Sequence, residues 1–406
     1  MGCPNDPCTG PVNPSAAAAE QLPLFTLAPV ADTRHAWAAL SLHSEAGADL
    51  GLAALPRIFG ELGLGEALGG LAAVVALDDP GRLDPDLAAA LPAASIVLLL
   101  PLARCADPSL EAPLQQLRRR GFRLMADGVP APGVLLASSL SAVASATAAP
   151  LAGLDALPGP HLASAVADYT QWERGKKAGY RWFAGDYPLR PQGQKKQQHG
   201  SSRNLLLRLL AMVTSDAESR DIEALLKQDP SLSYHLLKLV NSVSFSLTAT
   251  ITSFAYAITI LGRRQLQRWL QLLLYAQQRG VDEASPLLAR AARRAAMMEA
   301  LCEAAGGDKE AQDHAFMSGM FSLLDTLFSM PLEQIVTPLH LAEEIEEALL
   351  AHAGSLGRLL SLVVRAEAMP SPALAADLES MLVSPADYLR TQIRASAWAI
   401  QVSRDL

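Results

Sequence analysis

Two regimes of hydrophobic spacing divide the chain. From about residue 22 to 191, short apolar runs alternate with helix-spaced patterns. Leu71-Ala-Ala-Val-Val-Ala-Leu77 and Ser95-Ile-Val-Leu-Leu-Leu100 read as buried strands. A helix follows the second, from Ser109 to Arg120, and Gly121 closes it. Phe122-Arg-Leu-Met-Ala126 and Gly133-Val-Leu-Leu-Ala137 read as two more strands. Strands separated by helices imply a parallel sheet with both faces covered, and enough such units can close into a barrel. The segment is shorter than a typical eight-unit barrel, so one or more units are expected to be trimmed.

After residue 203 the strand signals vanish. Ile222, Leu225 and Leu226 form a helical stripe that stops at Asp229-Pro230, where Asp caps the next helix and Pro suits its first position. Leu232, Leu236, Leu239 and Val240 continue as a second stripe. A third helix runs from a cap at Ser253 to Gly262. Leu266, Trp269, Leu270, Leu273 and Leu274 mark a fourth, closed by Gly280, and Ser285-Pro286 opens a fifth. The remainder is helical in pattern. The expected organisation is a tail over 1–20, an α/β domain over 21–191, a linker over 192–203 and an all-α domain over 204–406. The linker is marked by Lys195, Lys196, glutamines, Gly200 and serines.

Composition narrows the classes. Half of the 406 residues are hydrophobic, enough for two cores, and the net charge of −8 carries no general signature for nucleic acid or an anionic membrane. Cys3, Cys8, Cys105 and Cys302 lack ligand spacing, which points to a reducing cytoplasm. Cys3 and Cys8 are either a redox pair or part of a disordered tail. The start lacks a basic n-region and an apolar h-region, and no apolar run reaches the length of a membrane span.

The helical half resembles the HDOD domain, a metal-free relative of HD phosphohydrolases. The resemblance lies in Ile222…Asp229-Pro230-x-Leu232…Leu236…Leu239…Asn241-Ser242, then Ile251-x-Ser253…Ala257-Ile258…Leu261-Gly262. The run from Ala315 to Asp325 is similar to the corresponding segment of EAL-HDOD two-domain proteins. The front half resembles the EAL domain, a barrel that hydrolyses cyclic di-GMP. That likeness is carried by Leu162 to Glu173, Gly179 to Tyr187, and the opening Pro29…Trp37-Ala-Ala-Leu40. The fold implied is a degenerate, trimmed TIM-like (β/α) barrel followed by an all-helical HDOD domain.

The same resemblance bears on chemistry. Hydrolysis by the EAL fold needs carboxylates that hold two hard cations. Here the signature glutamate falls on Ala38 and the following arginine on Leu42. The paired aspartates become Ala126-Asp127, two late glutamates become Ser164 and Ala167, and the last strand's glutamine becomes Ala184. The first lysine in the chain is Lys176, too late for the family's lysine. Asp127 is a turn residue before Gly128 or a remnant ligand; Asp78-Asp79-Pro80 raises the same choice. Behind the barrel no His-Asp dipeptide occurs, and Ser322-Leu323 stands at the equivalent place. His235 and His314 stand alone.

The expectation is therefore a chain with no enzymatic activity, no catalytic or metal residues and no cofactor. It would act as a bacterial signalling adaptor in cyclic di-GMP-related or two-component control of motility, biofilm or virulence. Other signalling proteins are the expected partners, a homo-oligomer is possible, and neither nucleic acid nor membrane is. The alternative is a catalytically dead sensor that binds cyclic di-GMP without hydrolysing it. Candidate interaction residues are Asp229, Pro230, Asn241, Ser242 and Trp269. Each also has a structural reading, as a cap, a helix end or a core aromatic.

Overall fold

The computed structural model describes residues 22–45, 51–147, 149–151, 157–190, 200–215, 217–226, 254–276 and 284–405. Eight strands close into a barrel in sequence order: β1 Phe25–Ala31, β2 Trp37–Ser44, β3 Ala72–Ala76, β4 Ile96–Pro101, β5 Arg123–Asp127, β6 Ala142–Ser145, β7 Leu162–Ala163 and β8 Trp182–Phe183. β1 runs antiparallel to both its neighbours, β2 and β8, and all other pairs are parallel. The β1–β2 hairpin forms because the Asp32 carboxylate accepts from the Arg34 and Ala36 amides at 2.7 and 3.0 Å.

Side chains alternate across the barrel wall, as the period of two requires. The inward set is small: Val30, Ala39, Ala72, Val74, Val97, Met125, Ala142, Ala144, Leu162 and Trp182. The outward set is bulkier, with Leu40, Leu42, Val75, Leu98, Leu100 and Leu124 facing the outer layer.

All eight strands are present, so what has been trimmed is the outer layer of helices. β5 and β6 are joined by residues 128–141 without a helix. The run Gly133 to Ala137 is not a strand, which corrects the sequence expectation. Gly133 has φ +87°, Leu135 is 88% exposed, and prolines stand at 130 and 132. The edge of β5 is instead taken by Ala142–Ser145, whose four residues are all buried.

Helices of eight residues or more are α1 Glu111–Arg119, α2 Tyr169–Ala178, α3 Gly200–Thr214, α4 Ser219–Leu226, α5 Phe254–Ala276, α6 Pro286–Ala304, α7 Lys309–Phe321, α8 Glu343–Ala351, α9 Gly354–Ala366, α10 Pro372–Ser380 and α11 Pro385–Asp405. The expected breaks are seen where they can be seen. Gly262, at φ +71° and ψ +167°, interrupts α5, and Ser285 caps α6 by accepting from the Leu288 amide. Trp269, Leu270, Leu273 and Tyr275 of α5 lie in one core with α6, α7 and α9.

The helical half is not self-contained. Leu389, Ile393 and Ile400 of α11 sit in the outer core of the barrel with Phe25, Leu27 and Leu40. β1 meets β8 only at Ala31–Phe183, so most of that edge has no strand partner. Side chains replace one. Gln392 accepts from the Leu27 amide at 2.9 Å and donates to the Phe25 carbonyl at 2.9 Å. Arg293 of α6 donates to the Leu27 carbonyl at 2.7 Å, to Gln392 Oε1 at 3.2 Å and to Ser396 Oγ at 3.1 Å. The backbone groups of an open strand edge must be satisfied when buried, and here two helices satisfy them.

Candidate functional site

In a barrel of this kind, chemistry gathers where the parallel strands end, because the strand-to-helix loops meet there. Among the described residues, two titratable strand residues, His43 and Asp127, reach that rim on the inward side. His43 shares the inward parity of Ala39 on β2, and Asp127 shares that of Met125 on β5. Burial raises the pKa of Asp127 and lowers that of His43, so the rim disfavours charge on both. Asp127 is thus a strand-end residue as well as the one before the left-handed Gly128, whose amide donates to the Ala144 carbonyl. Asp79 lies in the loop after β3, where it caps a 3-10 turn through the Gly81 amide and faces Arg104 at 3.9 Å. Both readings of the Asp78-Asp79 pair therefore reduce, for Asp79, to a turn with an ion pair.

The other aligned positions scatter. Ala38 and Ala184 pack against the barrel interior, whereas Leu42 is buried on the outer face, so a side chain there points at the helices. Ser164 and Ala167 hold backbone roles: the Ser164 amide donates to the Ser145 carbonyl and the Ala167 amide to Gln171 Oε1. Lys176 lies on α2, 4.7 Å over the Trp172 ring, and donates to the Thr33 carbonyl. Among the described residues, no three His, Cys, Asp or Glu side chains are placed to hold a metal ion.

The helical half holds a second polar site that sequence reasoning missed. Arg268 of α5 donates to Glu299 of α6 and, at 3.1 Å, to Asp313 of α7; Arg264 pairs with the same Asp313. His314 pairs with Glu344 of α8. Arg264, Asp313, His314, Lys309, Gln267 and His340 border an open cleft of about 460 Å³. These groups lie far apart in the chain, and only His314 had drawn notice. A stripe of charges at helical spacing on α5, at 264 and 268, was the available signal.

Of the candidate interaction residues, Trp269 is fully buried in the helical core. It offers no surface to a partner, so the core reading holds for it. Asp229, Pro230, Asn241 and Ser242 lie outside the described residues, as does His235. Ser322 accepts from Arg294 at 2.8 Å and donates to the Gly319 carbonyl.

These two halves, a closed barrel and a helical domain seated on it, define the class of the chain. The C-terminal half contains an HDOD domain, whose family model matches residues 202–346. The N-terminal half has structural similarity to EAL domains. Among them is the EAL domain of Mycobacterium smegmatis DcpA, at 15% identity and a TM-score of 0.32, covering 40% of this chain and 89% of that one.

Two curated bacterial proteins are similar in sequence. The cyclic di-GMP phosphodiesterase CdgJ of Vibrio cholerae is 29% identical over 204 residues, 50% of this chain and 46% of that protein. The uncharacterized protein YuxH of Bacillus subtilis is 28% identical over 207 residues, 50% of each. The chain spans about half the length of the curated relatives it matches. The first name corrects the expectation of a chain without enzymatic activity. A relative 29% identical over half of this chain is named a phosphodiesterase, so activity stays open to this chain. No single helix among the described residues is long and apolar enough to cross a membrane.

Proposed function

We propose that this chain is a cytoplasmic, bacterial signalling protein of the cyclic di-GMP-related EAL and HDOD class, which acts on other signalling proteins through contacts of its helical half. The observation that carries the reading is the junction. Arg293 and Gln392 bond the first barrel strand to two helices out of water, which ties the helical half directly to the barrel. Such a direct connection suits a protein whose output is a contact, because packed side chains and hydrogen bonds between two sites are one means by which a coupling free energy is carried. Exposed apolar side chains on the helical half, Val364, Met369 and Leu382, suit such contacts.

A second reading rests on the name of the Vibrio cholerae relative: turnover of cyclic di-GMP at the barrel rim, with Asp127 as the carboxylate nearest to hand. One experiment separates the two. The full chain is cross-linked to its partners in the cell, and purified full chain is assayed for cyclic di-GMP turnover with divalent cations. Cross-links concentrated on residues 284–384, joined to proteins of cyclic di-GMP or two-component signalling, support the first reading. Cross-links confined to the barrel overturn it. Turnover lost in Asp127→Ala establishes the second.

A further inference from the structure

The cleft of about 460 Å³ in the helical half lies between α3, α5, α7 and the start of α8. Its size falls within the range of sites that receive a ligand or a few side chains of a partner. One side is apolar, with Val213 of α3, Met317 of α7, and Leu341 and Ile345 around the start of α8.

The other side is charged, and its charges do not balance. On α5, Arg264 and Arg268 are neutralised by Glu299 and Asp313. Lys309 is the one further lysine or arginine among the described residues that line the cleft, and it donates to the neutral Gln312 side chain at 2.9 Å. Against it stand the carboxylates of Asp308 and Glu310 at the start of α7, and of Glu343 and Glu344 at the start of α8. Glu344 meets His314. Glu310 and Glu343 are exposed and make no hydrogen bond or ion pair among the described residues. Each acid suits the N-terminus of its own helix. The two N-termini border one cleft, however, so their carboxylates act together on whatever enters it. The thiol of Cys302 on α6 registers the excess: burial raises its pKa first, and Asp308, Glu344 and Glu299 raise it further.

Resting on the reading that the helical half makes the protein's contacts, we propose that this cleft docks a basic segment of a partner signalling protein. Apolar side chains of the segment lie against Val213, Met317, Leu341 and Ile345, and its lysines or arginines meet Glu310, Glu343 and Glu344. Charge complementarity selects this occupant. An acidic segment would find Lys309 alone and be repelled by the carboxylates around it.

The probe is a fluorescein-labelled peptide of leucine and lysine at helical spacing, with a second in which glutamate replaces lysine, read by anisotropy with the full chain. The lysine peptide should bind, the glutamate peptide should not, and binding should weaken as salt rises. Glu310→Lys with Glu343→Lys should weaken it by about tenfold or more. Glu66→Lys with Glu173→Lys, at exposed sites on the barrel half, makes the same change of net charge and should leave affinity within about twofold. Ala342→Trp fills the cleft without altering charge and should weaken binding as the first pair does. Equal affinity for the two peptides, equal loss in both charge pairs, or no loss in either cleft variant overturns the proposal. A photo-reactive residue placed in turn at positions 342, 364 and 135 of the full chain in the cell separates the cleft from the wider reading. Cross-links from 342 to partner segments rich in lysine and arginine support the cleft. Any pattern without them overturns it: cross-links from 364 then leave the wider reading standing, and cross-links from 135 alone, on the barrel, overturn both.

Discussion

Arg293 donates to the Leu27 carbonyl, the Gln392 side-chain oxygen and the Ser396 hydroxyl, all out of water. Burial pulls its guanidinium down to about 10, while Glu367 nearby pulls the other way. Arg293→Ala would leave these acceptors short of a donor in a space that water does not reach. A loss of about 3 kcal/mol is expected in urea unfolding, and Arg293→Lys should recover only part of it because an ammonium lacks the planar fork.

A second prediction concerns acid. Burial lowers the pKa of His43 and of His161, whose Nδ1 accepts from the Val143 amide. The unfolded chain therefore takes up protons at these positions before the folded one does. Stability they contribute is present above the ordinary value of 6.5 and lost as pH falls from there towards the folded values. The pair His43→Gln with His161→Asn should flatten the fall in urea midpoint between about pH 7 and 5. An unchanged slope would remove burial of these rings as its cause. The position of Asp127 was legible from its place before Gly128. Its inward aim was not, since parity within a strand is known only once the strand is paired.

At the scale of elements, α6 and α7 make the most extensive contact between helices in the described structure. They approach closely because position 319 has no side chain. A Cβ on Gly319 would lie 2.6 Å from the Ala295 Cα, a backbone atom that cannot swing away. Gly319→Ala should cost about 1–3 kcal/mol as overpacking, although alanine is the better helix former. A stabilised variant in thermal unfolding would contradict that contact. α11 teaches a related lesson. Its stripe of Leu389, Ile393 and Ile400 is legible as helical spacing, but spacing does not say which core the stripe enters. It enters that of the barrel, some 350 residues earlier in the chain. The apolar run at 133–137 errs the other way. It looks like a strand, yet the prolines beside it and the left-handed Gly133 keep it out of the sheet.

The barrel and the helices share a junction among the described residues, so the full chain is expected to unfold as one cooperative unit. The seam at β1 is closed by Gln392 and Arg293 rather than by a strand, so the barrel lacks part of its edge without the helices. Calorimetry of the full chain should show one transition. Gln392→Leu, which keeps the size but removes both bonds to β1, should lower that single midpoint without splitting it; two resolved transitions would mean that the halves unfold separately. It follows that a helical fragment beginning near residue 200 would expose the apolar face of α11, and binding studies belong on the full chain.

Local periodicity by itself determined the two regimes, three of the eight strands (β3, β4 and β5), the capped start of α6 and the break at Gly262, and short motifs carried the likeness to EAL and HDOD domains. Each is encoded within a window of a few residues, where hydrophobic spacing, glycine and capping side chains act directly. Only the tertiary structure decided which strand lies beside β5, how the barrel is sealed, and that Arg264 and Arg268 of α5 meet Glu299 of α6 and Asp313 of α7. Those outcomes depend on which surfaces compete for burial across hundreds of residues, and hydrophobic pattern records that a face is buried without recording against what.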